Sequence, residues 1–190
     1  MAMTDGSSLF AGKYKLPPTK SNMHIETTRI QLRPVEDRDF PFVFRLMSDP
    51  EVMKHIRPAS DDPEDTRKRM ADWARYTQAN PGLGVFMAEW KADGAYIGYV
   101  VARHVDFDSS SGEYEVGYTL APEQWGKGAA TEITRALCAY LFERFGPEYV
   151  VAFTASENAA SQQVLIKAGF SHIGLRDVYG GSEEFRLYSR

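Results

Sequence analysis

The chain has 190 residues, 43% apolar, 25% charged and 13% aromatic, a composition that supports one globular domain with its own core and excludes disordered and repeat architectures. Lys and Arg number 22 against 26 Asp and Glu, for a net charge of -4. That balance gives no general attraction to phosphate backbones and weighs against nucleic acid as a partner. A single cysteine, Cys138, and four scattered histidines exclude an internal disulfide and offer no metal-ligand spacing, so no metal is expected.

Residues 1–24 are rich in Ser, Gly, Lys and Pro without hydrophobic periodicity and read as a flexible leader before a domain over 25–190. Ile30, Leu32 and Val35 sit among polar residues as in a short half-buried strand, and Phe40, Val43, Phe44 and Met47 recur at helical spacing until Asp49-Pro50. A short turn through Val52, Met53 and Ile56 follows, and acids with Pro63 open a helix over 63–78. Strands over 85–90, 96–103 and 113–120 read as an antiparallel meander. An amphipathic helix over 130–145, an apolar strand over 149–154, a short helix over 158–168 and closing strands over 172–179 and 184–189 complete the order β-α-α-β-β-β-α-β-α-β-β. No apolar run approaches the roughly 20 residues that span a bilayer and no secretory pattern is visible, so a cytoplasmic location without membrane contact is expected.

Chemistry concentrates between Leu120 and Thr131, where a strand end meets a glycine-containing turn that opens the longest helix. Unpaired N–H groups and the helix dipole make such a tip a phosphate site, and Gly126 and Gly128 allow close backbone approach. An ordinary loop-to-helix junction needs glycine too, and both readings stay open on these residues alone. A Walker loop is excluded because Lys127 lies between the glycines and Ala129 supplies no hydroxyl. A dinucleotide-binding turn is demoted because five residues separate Leu120 from Gly126 and the preceding strands read as antiparallel.

The run Trp125-Gly126-Lys127-Gly128-Ala129-Ala130 resembles the pyrophosphate loop of the GNAT superfamily of acyl-CoA-dependent N-acetyltransferases, especially its RimJ/RimL-type branch, which acetylates protein N-termini. Arg33-Pro34, the segment 48–53, Glu115-Val116-Gly117-Tyr118, Asn158-Ala159-Ala160-Ser161 and Lys167-Ala168-Gly169-Phe170 extend the resemblance from Glu26 onward. Trp125 departs from the Gln or Arg usual at the head of the loop.

The resemblance implies an α/β (α+β) domain with a mixed, twisted central sheet of about seven strands and helices on both faces, opened between 113–120 and 149–154 to admit acetyl-CoA. It implies pantetheine pairing along Tyr118, Thr119 and Leu120, a pyrophosphate held by Trp125, Gly126, Lys127, Gly128, Ala129, Ala130 and Thr131, and a contact from Asn158. Asn158 also reads as a helix N-cap. Partners are then acetyl-CoA and an amine acceptor, a peptide N-terminus or a small amine, and the protein is a monomer or homodimer. The alternatives are a catalytically silent acyl-CoA-binding module that regulates a partner, or an acetyltransferase of a small amine, amino acid or aminoglycoside.

Glu115, in the strand that flanks the thioester, is the candidate general base, acting directly or through water; a strand carboxylate paired across the sheet is the competing reading. Glu113 shares its face by the period of two. Gly117 is expected to host a bulge that turns an amide inward as oxyanion donor, with a glycine in a crowded strand as the plain reading. The superfamily's usual acid, a Tyr, falls on Leu165 here, and the branch resemblance offers Ser161 in its place. Met53, Trp73 and Phe86 are expected to line the acceptor side, whereas His55 reads as a surface histidine, with a place on the acceptor side as its other reading.

Overall fold

Eight strands and five helices follow one another along residues 25–189, the part of the chain that this computed structural model describes. The expected leader over 1–24 lies outside the described residues. In chain order they are β1 (Ile25–Glu26), β2 (Ile30–Pro34), α1 (Phe40–Ser48), α2 (Pro50–Met53), α3 (Pro63–Ala79), β3 (Gly84–Trp90), β4 (Tyr96–His104), β5 (Tyr114–Leu120), α4 (Ala129–Phe145), β6 (Tyr149–Thr154), α5 (Ala159–Ala168), β7 (Ser171–Arg176) and β8 (Ser182–Tyr188). The strands form one sheet in the order β1-β2-β3-β4-β5-β6-β8-β7.

The meander β3-β4-β5 is antiparallel as expected, and the sheet has eight strands instead of about seven. The added strand is β1, two residues that pair with Gln31 and Leu32 and are too few for an alternating pattern to register. The turn expected after α1 is the separate helix α2, because Pro50 occupies its first turn and the Asp49 carboxylate accepts the Glu51 N–H at 2.9 Å. Asp62 caps α3 in the same way, accepting from Glu64 at 2.9 Å. The strand expected over 172–179 stops at Arg176, since Tyr179, Gly180 and Gly181 all take left-handed φ in the turn to β8.

Both faces of the sheet are covered, which is why β3 reads as a continuous apolar run. Val85 and Met87 pack with Val43, Met47, Met53 and Met70 under α1–α3, while Phe86 and Ala88 pack with Ile133, Leu137 and Leu141 of α4. Phe86 thus lies on the face opposite the expected acceptor wall, and that assignment is corrected: the period of two puts it out of phase with Val85 and Met87. Among the described residues no helix is long and apolar enough to cross a membrane.

One junction differs from the rest. Joined by the crossover helix α4, β5 and β6 are parallel and pair only at Tyr114 with Val150 and Glu115 with Val151. β5 stays paired with β4 as far as Leu120, and β6 with β8 as far as Thr154. Beyond Glu115 the two strands diverge, so the sheet is open on one side of each.

Candidate functional site

The loop after β5 leads from this opening to the tip of α4. It is pinned by its own side chains: the Trp125 indole donates to the Leu120 carbonyl at 2.9 Å, and the buried Gln124 carbonyl oxygen accepts from Trp90 Nε1 at 3.0 Å and from Lys127 Nζ at 3.1 Å. Gly126 and Gly128 have φ of +73° and +77°, a conformation that disfavours side chains with a Cβ. Gly128 caps α4 through its carbonyl, which accepts from Glu132 N–H at 3.2 Å, and among the described residues no side chain caps the helix N-terminus. The amides of Lys127, Gly128, Ala129, Ala130 and Thr131 have no acceptor among the described residues. Ala129 turns into the core, and Trp125 is 45% exposed.

Arg29, in the turn between β1 and β2, adds a cation that sequence reasoning missed. It pairs with Glu132 at 2.6 Å, donates to the Lys127 carbonyl at 3.3 Å, and stands 3.6 Å from where a Cβ on Gly128 would lie. Nothing in its local sequence marks it, because the contact depends on β1 and β2 folding over α4. Gln124 was missed for a related reason: a single buried amide in a loop leaves no periodic trace.

At the closed end of the opening, Glu115 occupies the last paired position and is 6% exposed. Its register partner across β4 is Arg103, whose Nη2 approaches the carboxylate at 3.3 Å, so the cross-strand pairing read from the sequence is present. The Tyr179 hydroxyl donates to Glu115 Oε2 at 2.7 Å and accepts the Asp106 N–H at 2.7 Å. Burial pushes the Glu115 carboxyl above its usual range, against the opposing pull of Arg103 and the Tyr179 hydroxyl. The non-glycine residues with left-handed φ among the described residues are Asp106, Phe107 and Tyr179, all in the two turns that meet above this carboxylate.

Glu113 is held separately, by an ion pair with Arg176 at 2.5 Å and by the Tyr149 hydroxyl at 3.0 Å. The expected bulge at Gly117 is absent: the β4–β5 register runs unbroken through Gly117 opposite Val101. A Cβ there would approach Val101 Cγ2 to 3.1 Å, so the glycine relieves crowding, as its plain reading had it.

Across the opening, Asn158 caps α5, its Oδ1 accepting the Ser161 N–H at 3.1 Å. Ser161 Oγ lies 3.0 Å from the Tyr118 hydroxyl. Tyr118, expected to contribute main chain only, therefore also brings a phenol from β5 to α5, beneath the gap. Leu165 is 2% exposed in the core and offers no hydroxyl. Cys138 is buried, and burial pushes its thiol up to about 12, which leaves it inert.

An open cleft of about 560 Å³ lies between α2 with its following loop and the end of β6. Met53, Lys54, His55, Arg57, Ala155 and Glu157 line it. His55 is half-buried in this wall. Trp73 lies against Tyr99 with ring centroids 5.1 Å apart and does not line this cleft.

Tyr179 shows how closely the base candidate is tuned. Its hydrogen bond favours the ionised carboxylate, so Tyr179→Phe is expected to raise the Glu115 pKa further. In a pH–rate profile the acid limb then moves to higher pH, and an unmoved limb separates Tyr179 from Glu115.

A profile of the acetyltransferase (GNAT) domain family matches residues 29–171. The FsC-acetyl coenzyme A-N(2)-transacetylase of Aspergillus fumigatus is 28% identical over 160 residues, covering 81% of this chain and 67% of that protein. Among solved structures, an acetyltransferase from Agrobacterium tumefaciens is similar at a TM-score of 0.77 and 24% identity, covering 89% and 96% of the two chains. The Salmonella typhimurium acetyltransferase that modifies the N-terminal serine of ribosomal protein L7/L12 is similar at a TM-score of 0.73 and 16% identity, covering 88% and 100%. These two structural likenesses show the fold.

Proposed function

The chain belongs to the GNAT acetyltransferase family and is an acetyl-CoA-dependent N-acetyltransferase; from that premise we propose that its acceptor is the α-amine of a protein or peptide N-terminus, acetylated by direct attack. The observation that carries the reading is the one-sided opening between β5 and β6, aligned with free amides at the α4 tip. No atom among the described residues takes these amides, so the residues present fit a nucleotide tail.

Acetyl-CoA supplies a thioester carbonyl and a thiolate leaving group. The amides of Lys127 to Thr131, with Gly126 and Gly128 giving access and Trp125 alongside, hold its pyrophosphate. The unpaired edge of β5 at Tyr118, Thr119 and Leu120 takes the pantetheine amides, as an added strand would. Asn158 contributes its side-chain amide group while its oxygen caps α5.

Glu115 takes the proton from the attacking amine, directly or through one water. An α-amine with pKa about 8 costs only ~1.4 kcal/mol to deprotonate at pH 7, whereas a Lys amine near 10.4 costs ~4.6 kcal/mol. A carboxylate base suits the first far better. Ser161, backed by the Tyr118 hydroxyl, donates to the departing sulfur. A thiol of pKa about 8.5 needs little help to leave, so Ser161→Ala and Tyr118→Phe should each lower kcat only about tenfold, with acetyl-CoA affinity unchanged. A loss of binding in either variant would make the pair structural.

The reading is tested by following thiol release from acetyl-CoA with panels of peptides, ε-amines and small amines. Turnover confined to free peptide N-termini supports it, and turnover only with small amines replaces it. The latter acceptor class draws support from the Aspergillus relative, whose name is that of an N(2)-transacetylase.

A further inference from the structure

Two structural arginines in this chain are tightly satisfied. Arg33 meets Asp39 and Glu89 at 2.6 Å each, and Arg176 meets Glu113 at 2.5 Å. Arg57, in the wall of the 560 Å³ cleft, is not. Its Nη1 reaches Asp65 and the Pro58 carbonyl only at 3.4 Å, the loose limit of a hydrogen bond. Its Nη2 is buried with no partner among the described residues. Asp65 is also shared with Arg69, at 3.3 Å, so one carboxylate serves two guanidinium groups.

A buried, unpaired guanidinium N–H is costly unless something completes it. The surroundings say what sign that something has. Lys54 and His55 stand on the same wall, and among the described residues Lys54 has no ion pair and Glu157 is the only carboxylate lining the cleft. Burial and the neighbouring Arg69 hold the Arg57 guanidinium below its usual pKa, as expected of a cation short of counter-charge.

Resting on the reading of this site as an amine acetyltransferase, we propose that its acceptor carries a carboxylate near the amine, which completes the Arg57 fork, with Lys54 and His55 attracting it into the cleft. Polyamines and aminoglycosides, cationic throughout, fit this wall poorly. The carboxylate is either an Asp or Glu side chain near a peptide N-terminus or the α-carboxylate of a free amino acid.

Paired acceptors decide between these sources. One arm compares C-terminally amidated peptides with Asp or Glu at positions two and three against their Asn or Gln counterparts; the other compares free amino acids with their amides, both by thiol release from acetyl-CoA. The carboxylate member is expected to have roughly tenfold higher kcat/KM in one arm, and that arm names the source. Arg57→Gln should bring the ratio to about one, and Arg57→Lys should keep part of it. Lys54 is exposed, so Lys54→Gln, which lowers the ratio partially, serves if the Arg57 variants misfold. A wild-type ratio near one with amines turned over overturns the carboxylate while leaving the transferase reading intact. So does a ratio that survives in folded Arg57→Gln, or in Lys54→Gln where the Arg57 variants misfold. Absence of turnover with any amine sinks both.

Discussion

Gly128→Asp is expected to abolish measurable acetyl-CoA binding while the domain stays folded. A Cβ at this position meets only Arg29 Nη2, at an ordinary 3.6 Å, and Asp is among the side chains that best tolerate the +77° φ. The fold therefore accepts the residue, but the site does not. The new carboxylate stands over the amides that would hold the pyrophosphate. Two like unit charges about 4 Å apart at a protein surface repel by roughly 4 kcal/mol, or about a thousandfold in affinity. Gly128→Asn has nearly the same shape without the charge and should lose about tenfold or less. Calorimetric titration with coenzyme A separates the two. Equal losses would make the effect steric, and no loss in Gly128→Asp would remove the helix tip from the binding site.

Glu115→Gln is expected to slow transfer by roughly a hundredfold to ten-thousandfold, the span of general-base contributions, with acetyl-CoA affinity unchanged. The sign with pH follows from burial. Only the ionised carboxylate accepts a proton, and its pKa is raised, so the wild-type rate falls as pH drops through a value above the ordinary carboxylate range. Glu115→Gln has no group titrating there, and its acid limb should vanish. A variant that keeps both the rate and the limb would reduce Glu115 to the cross-strand partner of Arg103.

How much of this was legible beforehand differs from residue to residue. Helix ends declared themselves, since Asp62-Pro63 and Gly146 act within a few residues of chain: a carboxylate accepting a nearby N–H, and a left-handed residue that stops the turn. Gly117 was legible as a glycine but not as to why, because the cause is Val101 on the neighbouring strand. The motif Trp125 to Thr131 marked the helix tip, yet whether those amides are free depends on what else folds against them. Arg29 and Tyr179 left no mark at all. Each acts on a group far away along the chain, Glu132 and Glu115, and their local sequences are those of ordinary turns.

By itself, the sequence determined the elements, the two-sided burial of the sheet and the glycine turn at the head of α4, all properties of periodicity and of local φ preference. Tertiary structure alone decided that β5 and β6 part after a single short paired stretch, that Tyr179 and Arg103 close over Glu115, and that Tyr118 meets Ser161 across the gap. Register and strand divergence are set by the packing of whole layers, so no window of neighbouring residues encodes them.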